Sequence, residues 1–205
     1  MKKPDIHRVI ALQQLLLRFG AIERRTRHPD NFDQYETDIE HSYTLAMVAW
    51  FLVQYFPKLK GPVVIQLALV HDLVELHAGD TFAFAPVDVL DGKAAREAVA
   101  IEKLAEEWPD FPEMHTTIRE YEARQTEEAK FVYALDKFIP ILLNYLNQGR
   151  TWQYEGITFE KFLAEKEAKI PVSPEIDHYY RELLEILRDH LEFFAHVPPV
   201  PSKQV

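Results

Sequence analysis

The stretch 69-LVHDLVELHAGD-80 sets five ionisable side chains, His71, Asp72, Glu75, His77 and Asp80, into an otherwise apolar run. The apolar spacing reads as a core-facing helix over roughly 63–78, closed by Gly79. A core helix does not need such groups, and burying them unpaired is costly. His71 and Glu75 are one turn apart, and Asp72 and Glu75 are also neighbours. The adjacent His71–Asp72 pair offers a neutral nitrogen and an anionic oxygen able to converge on one ion beside the helix. That donor set suits divalent Mn, Co, Ni, Fe or Zn better than Ca or Mg. Two ligands do not complete a site, so others must come from elsewhere in the chain.

Outward from that segment, nearly everything reads as helix. Pro4 suits a first helical position and Gly20 the far end of the same helix. Residues 24–36, RRTRHPDNFDQYE, read as a loop. Thr37 and Glu40 have capping-box spacing, so a helix is expected from there to about Phe56, ended by Pro57 and Gly61-Pro62. TFAFAPVDVLDG (81–92) reads as a loop. Residues 93–108 form an amphipathic pattern with Ala94, Ala98, Ile101 and Ala105 along one side. Further helices are expected over about 113–124, from the Thr126 cap to Asn147, and from Ser173-Pro174-Glu175 to near His196. No alternating run promises a sheet. The expectation is an all-α fold of six or seven helices, a single domain over 1–196 followed by a loose Pro-rich tail at 197–205.

The composition narrows the function. The 205 residues carry 23 Lys+Arg against 33 Asp+Glu, a formal charge of −10. Such an acidic surface argues against nucleic-acid polymers and anionic membranes as partners. With no cysteine, disulfides and thiolate zinc sites are excluded, so a metal must use His, Asp or Glu. The longest apolar run, Leu45–Val53, is too short to span a bilayer, and no leader pattern opens the chain. A cytoplasmic location is the expectation.

Two further residues stand out. His41 sits in the first turn of the helix that opens at Thr37. Asp136 lies in FVYALDKFIPILL, where a carboxylate is expensive unless a cation or donors meet it. Pro140 lacks the N–H that would pair with the Asp136 carbonyl, which points to a kink there. An ion pair with Lys130 or Lys137 would also account for Asp136, and a lone helical His is usually an ordinary polar residue.

The blocks EHSYTLAMVAWFL (40–52), LVHDLVELHAGD (69–80) and YALDKFI (133–139), in that order, resemble the signature of HD-domain metal-dependent phosphohydrolases. The resemblance runs from about Arg18 to Leu143. It is closest to the small single-domain branch that contains the bacterial 5′-deoxynucleotidases. It implies one divalent metal ion (Mg is kept among the candidates) held by His41, His71, Asp72 and Asp136. Glu75 and Asp80 match the carboxylates that handle protons there, and Arg18 an arginine that contacts the substrate phosphate. Phe19 stands where the best-known members have Trp, and TFAFAP replaces their Pro/Thr-bearing loop. His77 and His115 fall outside the pattern, which favours one metal over two. The implied activity is hydrolysis of the 5′-phosphate of nucleoside monophosphates. Two alternatives remain: an HD hydrolase of nucleotide di- or triphosphates, and a metal- or nucleotide-binding module without catalysis. The expected partner is a small nucleotide or another phosphate ester, with a homodimer entertained as the assembly.

Overall fold

Side-chain caps start three of the long helices. The Thr37 hydroxyl accepts from the Glu40 N–H while the Glu40 carboxylate accepts from the Thr37 N–H at 2.8 Å, a complete capping box that opens α2, Asp38–Val53. Thr126 caps the 20-residue α8, Glu127–Leu146, which continues through Pro140. Ser173 precedes α11, Pro174–Arg188. At the amino end the cap is Asp5 and not Pro4: its carboxylate accepts from the Arg8 N–H, and α1 is Ile6–Phe19.

A computed structural model describes residues 3–196; the tail read at 197–205 lies outside them. Between α2 and α8 run α3 (Gly61–Val70), α4 (Glu75–Ala78), α5 (Val87–Asp91), α6 (Lys93–Glu107) and α7 (Pro112–Ala123). After α8 come α9 (Arg150–Tyr154), α10 (Phe159–Glu167), a 3-10 turn at Ile170–Val172, α11, and a second 3-10 turn at Leu191–Phe193. The fold is thus mostly helical, but with eleven α-helices among the described residues where six or seven were expected. The surplus consists mainly of helices of four or five residues, too short to carry a periodic signal.

The all-α expectation needs a second correction. Residues read as a loop form an antiparallel hairpin, β1 (Glu23–Arg27) with β2 (Tyr35–Thr37), irregular in register between its ends. A cation holds it: the Arg27 guanidinium lies 4.8, 4.2 and 4.6 Å from the rings of Phe32, Tyr35 and Tyr154. It also donates to the Phe32 carbonyl at 2.9 Å. Buried Arg27 therefore acts as the hairpin's core residue.

The single helix expected over 63–78 is broken. α3 stops at Val70, and the amides of Leu73, Glu75, Leu76 and His77 bond three residues back, to Val70, Asp72, Leu73 and Val74. This tightened turn carries the chain between two cores. Val64, Leu67 and Ala68 of α3 belong to the larger one, with α2, α8 and α11. Leu73 and Val74 belong to the smaller one, with Leu15 and Phe19 of α1, Ala100 and Leu104 of α6, and Met114 and Ile118 of α7. The buried line of α6 is Ala100–Leu104, continued by Trp108, whereas Ala94 and Ala98 are exposed.

Candidate active site

His71 and Asp72 sit in the turn between the cores, and α2 and α8 bring their partners. One ligand atom each from His41, His71, Asp72 and Asp136 lies within 4.8 Å of the others. All four residues come from buried or nearly buried positions. His41 Nε2 is 3.1 Å from Asp136 Oδ1, and His71 Nε2 is 2.9 Å from Asp72 Oδ2 and 3.8 Å from Asp136 Oδ1.

The far side of the His71 imidazole sets its tautomer. His71 Nδ1 is 2.9 Å from the Ala68 carbonyl, which can only accept, so Nδ1 carries the proton. His41 Nδ1 faces the Glu36 carboxylate at 3.4 Å. The His71 Nε2 lone pair then points at the carboxylate oxygens of Asp72 and Asp136, an arrangement that repels unless a cation stands between; burial opposes a charge on His41, but hydrogen bonds to Asp136 and Glu36 raise its pKa to about 9. The histidine and carboxylate donors fit a divalent ion. The other oxygen of Asp136 is already held, accepting from Tyr121 at 3.0 Å and Lys137 at 2.6 Å. The ion pair with Lys137 thus exists beside the cluster and leaves Oδ1 free. Lys130 pairs instead with Glu127.

A second group adjoins the first. Carboxylate oxygens of Asp38, Glu75 and Asp80 lie within 4.8 Å of one another. Gly79 sets Asp80's approach with φ 74° and ψ 151°, backbone that is essentially glycine's alone. Arg24 of β1 ties the groups together, donating to Asp72 at 2.7 Å and Asp38 at 3.2 Å. Burial opposes its charge, but Asp72, Glu75, Glu36 and Asp80 outweigh burial and keep the guanidinium protonated.

These surroundings split the acids. Burial, reinforced by Asp72, pushes Glu75 well above the ordinary carboxylate range. Burial also raises Asp80, and raises Asp38 to about 6 although Arg24 opposes it. Against the same burial penalty, His71 and Arg24 hold Asp72 low, and Lys137 and His41 hold Asp136 low. One set is thus held toward the anionic form, while burial shifts its neighbours toward the protonated form.

Both groups open into a cleft lined by Arg24, Asp72, Glu75, Asp80, Lys93 and Lys137. Phe82, Phe84, Ile141 and Trp152 add apolar walls to it. Lys93 also pairs with Glu97 at 3.2 Å. His77 turns away to Glu107, and His115 is spent on the Trp108 carbonyl.

Arg18 and Phe19 are not brought to this cleft. Phe19 is buried in the smaller core, and Arg18 faces solvent in a hollow with Arg8, Glu107 and Trp108. The orientation of α1 explains both, since the face that buries Phe19 turns residue 18 outward. The sequence reading missed Arg24, Asp38, Glu36 and Tyr121. Of these only Asp38 carried a local sign, as an acid inside a capping box. Arg150 stacks over Phe32 at 4.4 Å and does not line the cleft, whereas Trp152 does.

The HD domain family matches residues 18–177. The chain is 35% identical over 155 residues to the 5′-deoxynucleotidase HDDC2 of Xenopus laevis, covering 71% of this chain and 72% of that one. It is 34% identical over 116 residues to the mouse protein of the same name, a match spanning 56% of that relative's length. Among solved structures, a predicted metal-dependent phosphohydrolase from Magnetospirillum magnetotacticum superposes with a TM-score of 0.76 at 31% identity, covering 92% of this chain and 96% of the other. A conserved hypothetical protein from Pyrococcus furiosus shares the fold at 22% identity, with a TM-score of 0.62.

Proposed function

The chain belongs to the HD domain family, and from that premise we propose that it is a metal-dependent phosphohydrolase that cleaves the 5′-phosphate of (deoxy)nucleoside monophosphates. One observation carries the reading: His71, its tautomer fixed from behind by the Ala68 carbonyl, turns a bare Nε2 toward the carboxylates of Asp72 and Asp136, beside a cleft that also holds Arg24, Lys93 and Lys137. The relatives named 5′-deoxynucleotidase support the substrate class.

In this reading His41, His71, Asp72 and Asp136 hold one divalent ion. When bound, such an ion neutralises charge on the phosphoryl group and makes nearby water more acidic. Arg24, Lys93 and Lys137 bind the remaining phosphate charge; Arg24 takes the role that the family resemblance assigned to residue 18. Water attacks phosphorus, the bond from phosphorus to the 5′ oxygen breaks, and a nucleoside and inorganic phosphate leave. The water's proton passes to a carboxylate of the Asp38–Glu75–Asp80 group, and another carboxyl of that group protonates the departing oxygen. The raised pKa values of all three support their holding a proton to give. Glu36 and Ala68 orient the histidines.

The test is phosphate release from nucleoside mono-, di- and triphosphates with Mn, Co, Mg or Zn and with chelator. Turnover of monophosphates that chelation abolishes and metal restores supports the proposal; turnover of di- or triphosphates alone overturns it. That runner-up draws on a second cavity past the cluster, lined by Lys93, Arg124, Lys137 and Lys169. As for assembly, we propose a homodimer through the outer face of α2.

A further inference from the structure

Asp136 presents its two carboxylate oxygens to two different sets of neighbours. Oδ1 faces His41 Nε2 at 3.1 Å and His71 Nε2 at 3.8 Å. Oδ2 accepts from the Tyr121 hydroxyl at 3.0 Å and from Lys137 Nζ at 2.6 Å. A carboxylate turns readily about its last bond, so the donors on Oδ2 decide where Oδ1 points.

Those two donors differ in kind. Lys137 lines the cleft and keeps 22% of its side chain exposed. Its ammonium carries three N–H groups on a flexible stem, and the reading above also gives it to the substrate phosphate. Tyr121 is buried on α7 and borders the second cavity, not this cleft. Its ring is packed on two sides. It meets the His71 ring edge-on, with centroids 5.6 Å apart and planes at 73°, and the Tyr133 ring at 6.4 Å. A hydroxyl on so fixed a ring has little freedom to leave its acceptor. Tyr121 therefore touches two of the four residues assigned to the ion, Asp136 through its hydroxyl and His71 through its ring.

We infer that Tyr121 is a positioning residue whose hydroxyl holds Asp136 Oδ2, so that Oδ1 stays toward the histidines when Lys137 turns to the phosphate. The inference rests on the metal-dependent reading above and divides the work between two donors. Lys137 serves both carboxylate and substrate; Tyr121 serves the carboxylate alone. Groups that hold a ligand from behind act on ion affinity as well as on rate, and losing one typically costs about 10–100-fold.

Tyr121→Phe removes the hydroxyl and keeps the ring against His71 and Tyr133. Cobalt is the probe, because its visible absorption reports how its ligands are arranged. By calorimetry on chelator-stripped protein, the variant is expected to bind cobalt about tenfold or more weakly than wild type, with an altered visible spectrum. At saturating cobalt its kcat for a nucleoside monophosphate is expected to stay about tenfold or more below wild type, with KM within about twofold. Urea unfolding in chelator checks that the variant folds. Wild-type cobalt affinity and spectrum in Tyr121→Phe, even with a lowered urea midpoint, make Tyr121 a packing residue and overturn the inference alone. A rise in KM with kcat unchanged also overturns it, since the hydroxyl would then serve substrate binding. A wild-type chain that binds no cobalt overturns the ligand set and this inference with it. Weakened cobalt binding in the variant, with no monophosphate hydrolysed by either protein, upholds the positioning and defeats the nucleotidase proposal instead.

Discussion

Two arginines compete for the substrate phosphate, Arg24 and Arg18. Arg18 sits in a recognisable block but faces solvent; Arg24, in an unremarked polar stretch, bridges Asp72 and Asp38. Arg24→Ala is expected to raise KM for nucleoside monophosphates at least tenfold, the loss of roughly one charge-assisted hydrogen bond to phosphate. Arg18→Ala is expected to stay within about twofold, as surface changes do. The reverse order in steady-state kinetics would return the phosphate to Arg18. Glu75→Gln keeps the shape and should keep the metal, measured by bound ion per chain, while slowing turnover by roughly a hundredfold or more. Near-wild-type turnover would make Glu75 structural. Asp38 has a consequence for stability. Its pKa is about 6 folded against 3.8 for the free side chain. Below about pH 4 both states hold the proton and nothing is lost. As pH climbs through 6 the unfolded chain ionises first, and the chelated fold loses up to about 3 kcal/mol. Urea unfolding in chelator should therefore show Asp38→Asn more stable than wild type at pH 7.5 and level with it near pH 4. No difference at pH 7.5 would mean that Asp38 is better solvated than its burial implies.

The tightened turn between α3 and α4 does for backbone what Arg24 does for charge. The apolar pattern continues across 69–78, so periodicity alone reads one helix; the break follows from two cores competing for one segment. Elements governed by neighbours in sequence were legible: the Thr37 box, the Thr126 cap and the Ser173–Pro174 start all depend on contacts within four residues. The hairpin was not, because ERRTR has no apolar alternation and is stabilised by Arg27 against rings from residues 32, 35 and 154. The candidate site divides the same way. His41, His71, Asp72 and Asp136 stand out as ionisable groups in apolar runs, whereas Arg24 owes its setting to Asp72 and Asp38 on other elements. Gly79 joins the two scales, since its glycine-only backbone delivers Asp80 to Glu75. Gly79→Ala is expected to destabilise by about 1–3 kcal/mol and to depress kcat more than KM. A variant matching wild type in both the denaturant midpoint and kcat would show that the turn relaxes without moving Asp80.

Among the described residues, α2 leaves a broad apolar surface to solvent. α2 turns His41, Leu45, Ala49 and Leu52 inward. Its opposite side carries Ile39, Tyr43, Met47, Trp50 and Phe51, followed by Tyr55, all exposed, with Trp50 at 56% and Tyr43 at 66%. These residues recur every three or four positions and form one continuous stripe. Single exposed apolar residues are ordinary, but an aromatic stripe along a whole helix has the composition of an interface centre. The charge of −10 keeps copies apart elsewhere, which leaves this neutral face as the place of least repulsion. In the homodimer proposed above, α2 packs against α2 about a twofold axis, a contact that needs only one self-complementary patch. A stable dimer requires about 1,200–2,000 Å² in total, so flanking residues must join the stripe. Sedimentation at micromolar concentration should give twice the mass of the 24.0 kDa chain. Trp50→Glu should give the single-chain mass with hydrolysis retained, because the mutated side chain points away from His41 and the cleft. A wild-type chain that sediments as a monomer excludes the dimer. A Trp50→Glu protein that remains dimeric moves the interface to another face.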